Sequence, residues 1–204
     1  MKLFCVLLFL STLLCCSSCG KISEDLLQNF PSGSLEKLVI SDAAVFQDPS
    51  TSALTFTFRY SRGEPEVRIP VAAMGWPTDW SKYSSIQYTF HTTSQETIAI
   101  GFSDGTETKF FITEPLPGIR IFGVIPFDTF VQTRHMTPLR PLGYKVWPQR
   151  LFTFEKVEEI IFKMRYPSQD SQFTLFNFTL RKDVPADDIL DKKPLIDRYG
   201  QWIP

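Results

Sequence analysis

The strongest constraint on the fold is strict alternation of apolar and polar side chains within residues 80–92. Three apolar residues share one parity: Ile86, Tyr88 and Phe90. Three polar residues share the other: Gln87, Thr89 and His91. Because successive side chains of a strand point to opposite faces, this pattern predicts a strand with one face on a core. Trp80 and Tyr83 precede the strand, and their spacing lets the loop place aromatic mass under the sheet edge.

The same alternation recurs along the chain and predicts further strands. The apolar positions are Leu54, Phe56, Phe58 and Tyr60; Val67, Ile69 and Val71; Ile98, Ile100 and Phe102; and Ile160, Phe162, Met164 and Tyr166. Residues 103–106 carry an Asp-Gly hairpin signal, and Phe110 and Ile112 lie on the returning strand. With 15 prolines and 19 phenylalanines, many short strands around an aromatic core predict an all-β, antiparallel β-sandwich.

Two stretches depart from simple alternation. Residues 120–127 are apolar on both parities, which predicts a strand covered on both faces. Within residues 172–180 the apolar parity changes between Leu175 and Phe176. Either a β-bulge shifts the register there, or both faces of that strand are buried.

The N-terminus carries Lys2 followed by an apolar run over residues 3–14. A helix needs about 20 residues to span a bilayer, so this run predicts a secretory signal peptide. The run ends in Cys-Cys-Ser-Ser-Cys, which resembles a bacterial lipoprotein signal with Cys19 as the lipidated residue. Cys16 is the alternative position, and an ordinary cleaved signal peptide is the third interpretation.

This resemblance implies an extracytoplasmic protein, held by acyl chains at the outer membrane or cell surface of a Gram-negative bacterium. Ser23, Glu24 and Asp25 resemble an acidic sorting signal, although a solvated tether explains them equally well. All four cysteines precede Gly20, so the folded part has no disulfide and no cysteine ligand or nucleophile. The net charge of −1 argues against a nucleic-acid partner.

Changes in hydrophobic pattern and composition along the sequence predict four segments. We expect a lipoprotein signal peptide at residues 1–19, a tether at 20–29, the sandwich at 30–183, and a linker at 184–204. The linker is predicted because residues after Asp183 lose the alternation and include prolines and charged residues.

Two motifs resemble known families. Trp80, Tyr83, Ile86 and Tyr88 resemble the W-x-x-Y-x-x-I-x-aromatic motif of galactose-binding-like jelly rolls, a β-sandwich used by many carbohydrate-binding modules. The C-terminal segment resembles the D-x-(F/Y)-G-Q linker of agarase-like glycoside hydrolases. Four residues carry that match, Asp197, Tyr199, Gly200 and Gln201, and Trp202 and Pro204 support it.

In agarase-like hydrolases that linker joins an N-terminal galactose-binding-like domain to a catalytic barrel. The resemblance therefore implies a catalytic glycoside hydrolase domain as a partner, which residues 1–204 do not include. Whether the sequence is a complete or a truncated gene product stays open. Structural calcium is a cofactor that the resemblance alone implies, and no other cofactor is expected.

No catalytic set is evident in the sequence. The acidic residues considered for glycoside hydrolysis fall in turns or the linker: Glu155, Glu158, Glu159, Asp187 and Asp188. There is no G-x-S-x-G motif. His91 has the parity of a surface or inter-sheet residue, and His135 lies in a long loop. An enzyme acting by itself is therefore the weakest of the functional hypotheses.

Two loops, residues 74–80 and residues 134–150, have the aromatic and planar polar side chains that bind sugars. In the first, Trp80 is expected to be a core anchor and Trp76 to be exposed. The predicted glycan-binding residues are Trp76, Arg134, His135, Tyr144, Trp147 and Arg150. The leading hypothesis is a non-catalytic module that binds a polysaccharide or oligosaccharide, in particular a galactan. The alternative is a structural domain that orients a catalytic barrel and has no glycan affinity.

Overall fold

The computed structural model describes residues 23–60, 63–113, 115–127 and 152–182, together with one short C-terminal strand pair. The strands are β1 (Ser23–Asp25), β2 (Val39–Ser41), β3 (Ala43–Gln47), β4 (Leu54–Phe58), β5 (Glu66–Pro70), β6 (Ser85–Thr92), β7 (Ile98–Ser103), β8 (Thr108–Thr113), β9 (Arg120–Pro126), β10 (Glu159–Met164), β11 (Ser171–Arg181), β12 (Leu195–Ile196) and β13 (Trp202–Ile203). Two 3-10 helices occupy Ser34–Lys37 and Ala72–Met74.

Ten of these strands and β1 form two antiparallel sheets. Sheet 1 has the strand order β3-β4-β11-β6-β9, and β1 also pairs with β11. Sheet 2 has the order β2-β5-β10-β7-β8. The prediction of an all-β, antiparallel sandwich is confirmed. Strands β12 and β13 pair with each other.

The core is a layer of aromatic rings between the two sheets. Phe56 of sheet 1 stacks on Phe162 of sheet 2 with ring centroids 4.9 Å apart. Phe173 of sheet 1 lies 5.8 Å from each of these rings. All three side chains are fully buried. The alternating apolar positions of β4, β5, β6, β7 and β10 therefore form the inner faces of both sheets. Tyr60 and Tyr166, which the alternation also included, lie beyond the strand ends and are 63% and 67% exposed.

The loop before β6 closes one end of this core. Trp80 is fully buried and donates its indole N–H to the Pro77 carbonyl at 2.6 Å. Its ring lies edge-on to Phe102 and stacked with Phe127, at centroid distances of 5.8 and 6.2 Å. The predicted role of Trp80 as a core anchor is confirmed.

The two sequence irregularities have different outcomes. In β11 the pairing with β6 shifts between Leu175 and Asn177, so the change of parity is a β-bulge at Phe176. The prediction that residues 120–127 are covered on both faces is wrong, because β9 is the last described strand of sheet 1 and leaves Phe122 46% exposed.

The predicted tether is also wrong over residues 23–29. Ser23–Asp25 pairs with β11, and Leu26 and Leu27 are buried in the core. The sandwich therefore includes residues from Ser23 onward. A three-residue strand is too short to show the alternation that predicted the others. In the described ranges, the structure has no helix with the length and apolar character to cross a membrane.

We expect Trp80→Ala to destabilise the domain by about 3–5 kcal/mol, because it leaves a large cavity between buried rings. Urea denaturation followed by intrinsic fluorescence measures the change. Tyr60→Ala is the matched control, since Tyr60 is 63% exposed, and it should change the free energy of unfolding by less than about 0.5 kcal/mol. Equal effects of the two substitutions would contradict the anchoring role.

Candidate functional site

The structure corrects the predicted exposure of Trp76. This side chain is only 5% exposed and belongs to the core. Its ring packs edge-on against Phe30 at 5.8 Å, and its indole N–H donates to the Asn29 carbonyl at 3.3 Å. Neighbouring Gly and Pro residues suggest exposure, but the N-terminal segment covers the indole. Trp76 is therefore unavailable as a sugar platform.

The remaining predicted site residues lie outside the described part of the chain: Cys19, Arg134, His135, Tyr144, Trp147 and Arg150. Their assignments stay predictions. His91 lies on the outer face of sheet 1 and is half-buried, as its parity predicts. Among the described residues, no group of three His, Cys, Asp or Glu side chains is placed to hold a metal, so the calcium implied by resemblance also stays a prediction.

A cleft of about 170 Å³ opens on the outer face of sheet 2. We call it the sheet 2 cleft, and its lining residues are Glu64, Ala99, Phe110, Ile112, Lys163 and Arg165. The strand register explains why they meet. Lys163 on β10 pairs with Ala99 on β7, which pairs in turn with Ile112 on β8. Because all three positions face outward, they form one row across the sheet.

Phe110 supplies an aromatic ring at this cleft. Its Cα pairs with that of Gly101, and a Cβ at position 101 would lie 2.5 Å from Phe110 Cε1. The glycine thus lets the ring lie down on the sheet. Phe110 is 38% exposed, and the Lys163 ammonium lies 5.5 Å from its ring centroid. The ring is held in place while part of it faces solvent.

Charged side chains of alternating sign run beside the ring. Lys163 Nζ lies 3.0 Å from Glu64 Oε2 and 3.4 Å from Glu66 Oε2. Arg165 Nε extends this network at 3.5 Å from Glu64 Oε1. Glu66 also pairs with Arg68, whose Nε lies 2.8 Å from Glu66 Oε1. The Arg68 Nη1 atom lies 3.3 Å from Glu159 Oε2. The network thus holds donors and acceptors in fixed positions before any ligand arrives.

The electrostatics of the cleft favour binding over proton donation. The hydrogen bond from Lys163 lowers the pKa of Glu64, and the Arg165 guanidinium adds to the effect. A glycosidase general acid instead needs a carboxyl group whose pKa is raised. Glu64 is therefore an ionised acceptor at neutral pH and a poor proton donor.

The combination suits a sugar ligand. An exposed aromatic ring can cover the apolar C–H face of a pyranose, while carboxylate oxygens and cationic N–H groups bond to its hydroxyls. The sequence does not show that these residues form one site, because Glu64 and Lys163 are 99 positions apart. Phe110, Phe111 and Ile112 are all apolar, so the sequence alone does not show which of them faces outward.

No protein-family model matches the chain, and no curated protein matches it by sequence. Several solved structures match it in fold. An exo-β-agarase matches with a TM-score of 0.59 at 12% identity, over 81% of this chain and 26% of the agarase. The agarase AgWH50C matches with a TM-score of 0.56 at 12% identity, over 79% of this chain and 25% of its own. The chain thus spans about a quarter of the agarases that it matches.

A smaller protein matches over almost its whole length. A point mutant of a carbohydrate-binding module of family 29 aligns with a TM-score of 0.52 at 11% identity, over 84% of this chain and 98% of the module. The fold is an antiparallel β-sandwich that these structures share. At these identities the likeness shows the fold alone.

We expect Glu64→Gln to destabilise the domain at pH 7 by about 1 kcal/mol or less, the size of a partly exposed ion-pair contribution. A carboxyl whose pKa is lower in the folded state stabilises the fold above its unfolded pKa. That contribution disappears as the pH falls through the folded pKa. Urea unfolding of the variant and wild type from pH 7 to pH 3 should therefore converge, and a constant difference would contradict the ion pair.

Proposed function

We propose that this chain is a non-catalytic carbohydrate-binding module, and that it binds a neutral segment of polysaccharide or oligosaccharide in the sheet 2 cleft. The observation that carries the proposal is the Phe110 ring lying over Gly101 beside the paired Glu64 and Lys163. The fold shared with a carbohydrate-binding module supports it. A galactan is the first ligand to test, because agarases share the fold.

The proposed mechanism is reversible binding without bond cleavage. One sugar ring stacks on Phe110, its hydroxyls donate to Glu64, and they accept from Lys163 and Arg165. The side chains are already ordered by their ion pairs, so binding costs little conformational entropy. In the accessory role that we propose, the module raises the concentration of polysaccharide beside a catalytic glycoside hydrolase domain.

Affinity electrophoresis in gels containing agarose or other galactans tests this function. We expect retardation of the wild-type chain and its loss in Phe110→Ala, because the variant removes the stacking surface. Gly101→Ala should weaken binding as well, since the added methyl group displaces the ring. Tyr60→Ala, an exposed aromatic residue outside the cleft, should bind like wild type.

Trp147→Ala separates the cleft from the loop predicted by sequence. If this variant binds normally while Phe110→Ala does not, the cleft is the binding site. If retardation is lost in Trp147→Ala and kept in Phe110→Ala, the cleft proposal is wrong. Circular dichroism of each variant checks that the sandwich is folded.

A structural domain without glycan affinity is the second candidate. The chain spans only about a quarter of the agarases that it matches, and Leu116 and Ile119 expose 58% and 53% of their surface before β9. Apolar exposure of this kind suits contact with another domain. Unchanged mobility across a broad glycan panel would favour this candidate over binding.

For localisation, we propose lipidation at Cys19 and anchoring at the surface of a Gram-negative cell. Two acyl chains are needed for stable anchoring, because one gives only marginal membrane affinity. Expression in a Gram-negative host with a labelled fatty acid should label the wild type and leave Cys19→Ser unlabelled. Label lost only in Cys16→Ser would place the lipid at Cys16, and an unlabelled wild type would contradict lipidation.

A further inference from the structure

The outer face of sheet 1 presents a second row of polar and aromatic side chains. We call it the sheet 1 face. Cross-strand pairing places five residues in line across the sheet: Phe46, Thr55, Thr174, His91 and Arg120. Four interstrand spacings make this row about 19 Å long. Its threonine hydroxyls lie 3.1 Å apart, and Phe46 at one end is 62% exposed.

Arg120 is stacked at the other end of this row. Its guanidinium lies 4.0 Å from the centroid of Phe176. Phe176 reaches this position because it occupies the β-bulge of β11, where the pairing register shifts. Bulges commonly re-aim a side chain in this way. A guanidinium stacked on an aromatic ring keeps its in-plane N–H groups available for hydrogen bonds to another group.

The cationic side chains of the two sheets differ in their ion pairing. Arg68, Lys163 and Arg165 on sheet 2 each pair with a carboxylate. Arg120 forms no ion pair with any residue in the described ranges, although it is exposed. Its positive charge is therefore held against the Phe176 ring, with no counter-charge among the residues that the structure describes.

Among the described residues, the other ionisable groups of the sheet 1 face do not neutralise Arg120. Arg181 donates to the neutral Gln87 amide at 2.6 Å, and His91 pairs across the strands with Arg120. Asp25, on β1, is a carboxylate of this face, and its Oδ1 accepts the backbone N–H groups of Leu27 and Gln28. The exposed Arg120 guanidinium is therefore a positive charge that none of the described carboxylates neutralises, and it is complementary to an anionic ligand.

We propose that the sheet 1 face is a second binding surface, which takes a polysaccharide bearing sulfate or carboxylate groups. The Arg120 guanidinium binds the anionic group with paired hydrogen bonds. The row of hydroxyl and imidazole side chains bonds to the sugar hydroxyls, and the exposed Phe46 ring covers an apolar sugar face. An anionic membrane is the poorer fit, because lipid recognition uses clusters of 4–8 basic residues.

Affinity electrophoresis of the full chain distinguishes the two anionic groups, with carrageenan as the sulfated probe and alginate as the carboxylated one. We expect retardation by at least one of them at low salt, weakened by roughly tenfold or more in Arg120→Gln, the loss expected for one charged hydrogen bond. Arg120→Lys keeps the charge but loses the paired N–H donors of the planar guanidinium, so it should bind with intermediate affinity.

Phe110→Ala is the matched variant on the opposite sheet and should leave this binding unchanged, so the two sites can fail independently. No retardation by either probe, or equal retardation of wild type and Arg120→Gln, would overturn the proposal. Equal retardation by polyacrylate would show attraction to charge alone and would overturn it too. Arg120-dependent binding to phosphatidylglycerol vesicles without retardation by either polysaccharide would assign the face to membranes instead.

Discussion

The structure depends on the contact between phenylalanine rings across the two sheets. Phe162 of sheet 2 stacks on Phe56 of sheet 1, and Phe173 and Phe178 pack around it. These rings are fully buried, and each contributes a large apolar area to the core. Because the inner faces supply the cohesion, the outer faces are free to carry polar side chains, and the sheets hold those side chains at fixed spacings.

The two outer faces differ in how their charged and aromatic side chains are arranged. On sheet 2 the cations and carboxylates neutralise one another around Phe110, which suits an uncharged ligand with many hydroxyls. On sheet 1 the Arg120 guanidinium is supported by an aromatic ring, which suits an anionic group. A glycine opposite Phe110 and a bulge at Phe176 are the backbone features that make these two arrangements possible.

Local pattern was sufficient to predict most of the fold. Alternation located β4, β5, β6, β7 and β10, and the parity change in β11 indicated the bulge as one of two alternatives. It could not place β1, which is too short to alternate. It also could not predict that β9 is the last described strand of sheet 1, because local pattern does not state the strand order. The exposure of Trp76 was mispredicted because Asn29 and Phe30, 46 or more positions earlier, cover it.

The site was less predictable than the fold, because its residues are far apart in the sequence. Residues such as Glu64, Phe110 and Lys163 become neighbours only through strand pairing, and a single sequence does not state that pairing. The stacking of Arg120 on Phe176 likewise requires both the bulge and the β6–β9 register.

The central claim is that the sheet 2 cleft binds a neutral glycan. Titration of the ¹⁵N-labelled chain with agaro-oligosaccharides, followed by amide chemical shifts, tests it most directly. The account predicts saturable shifts concentrated at Ala99, Phe110, Ile112 and Lys163, with the sheet 1 face unaffected. Saturable shifts confined to other parts of the molecule, or none at millimolar oligosaccharide, would contradict it.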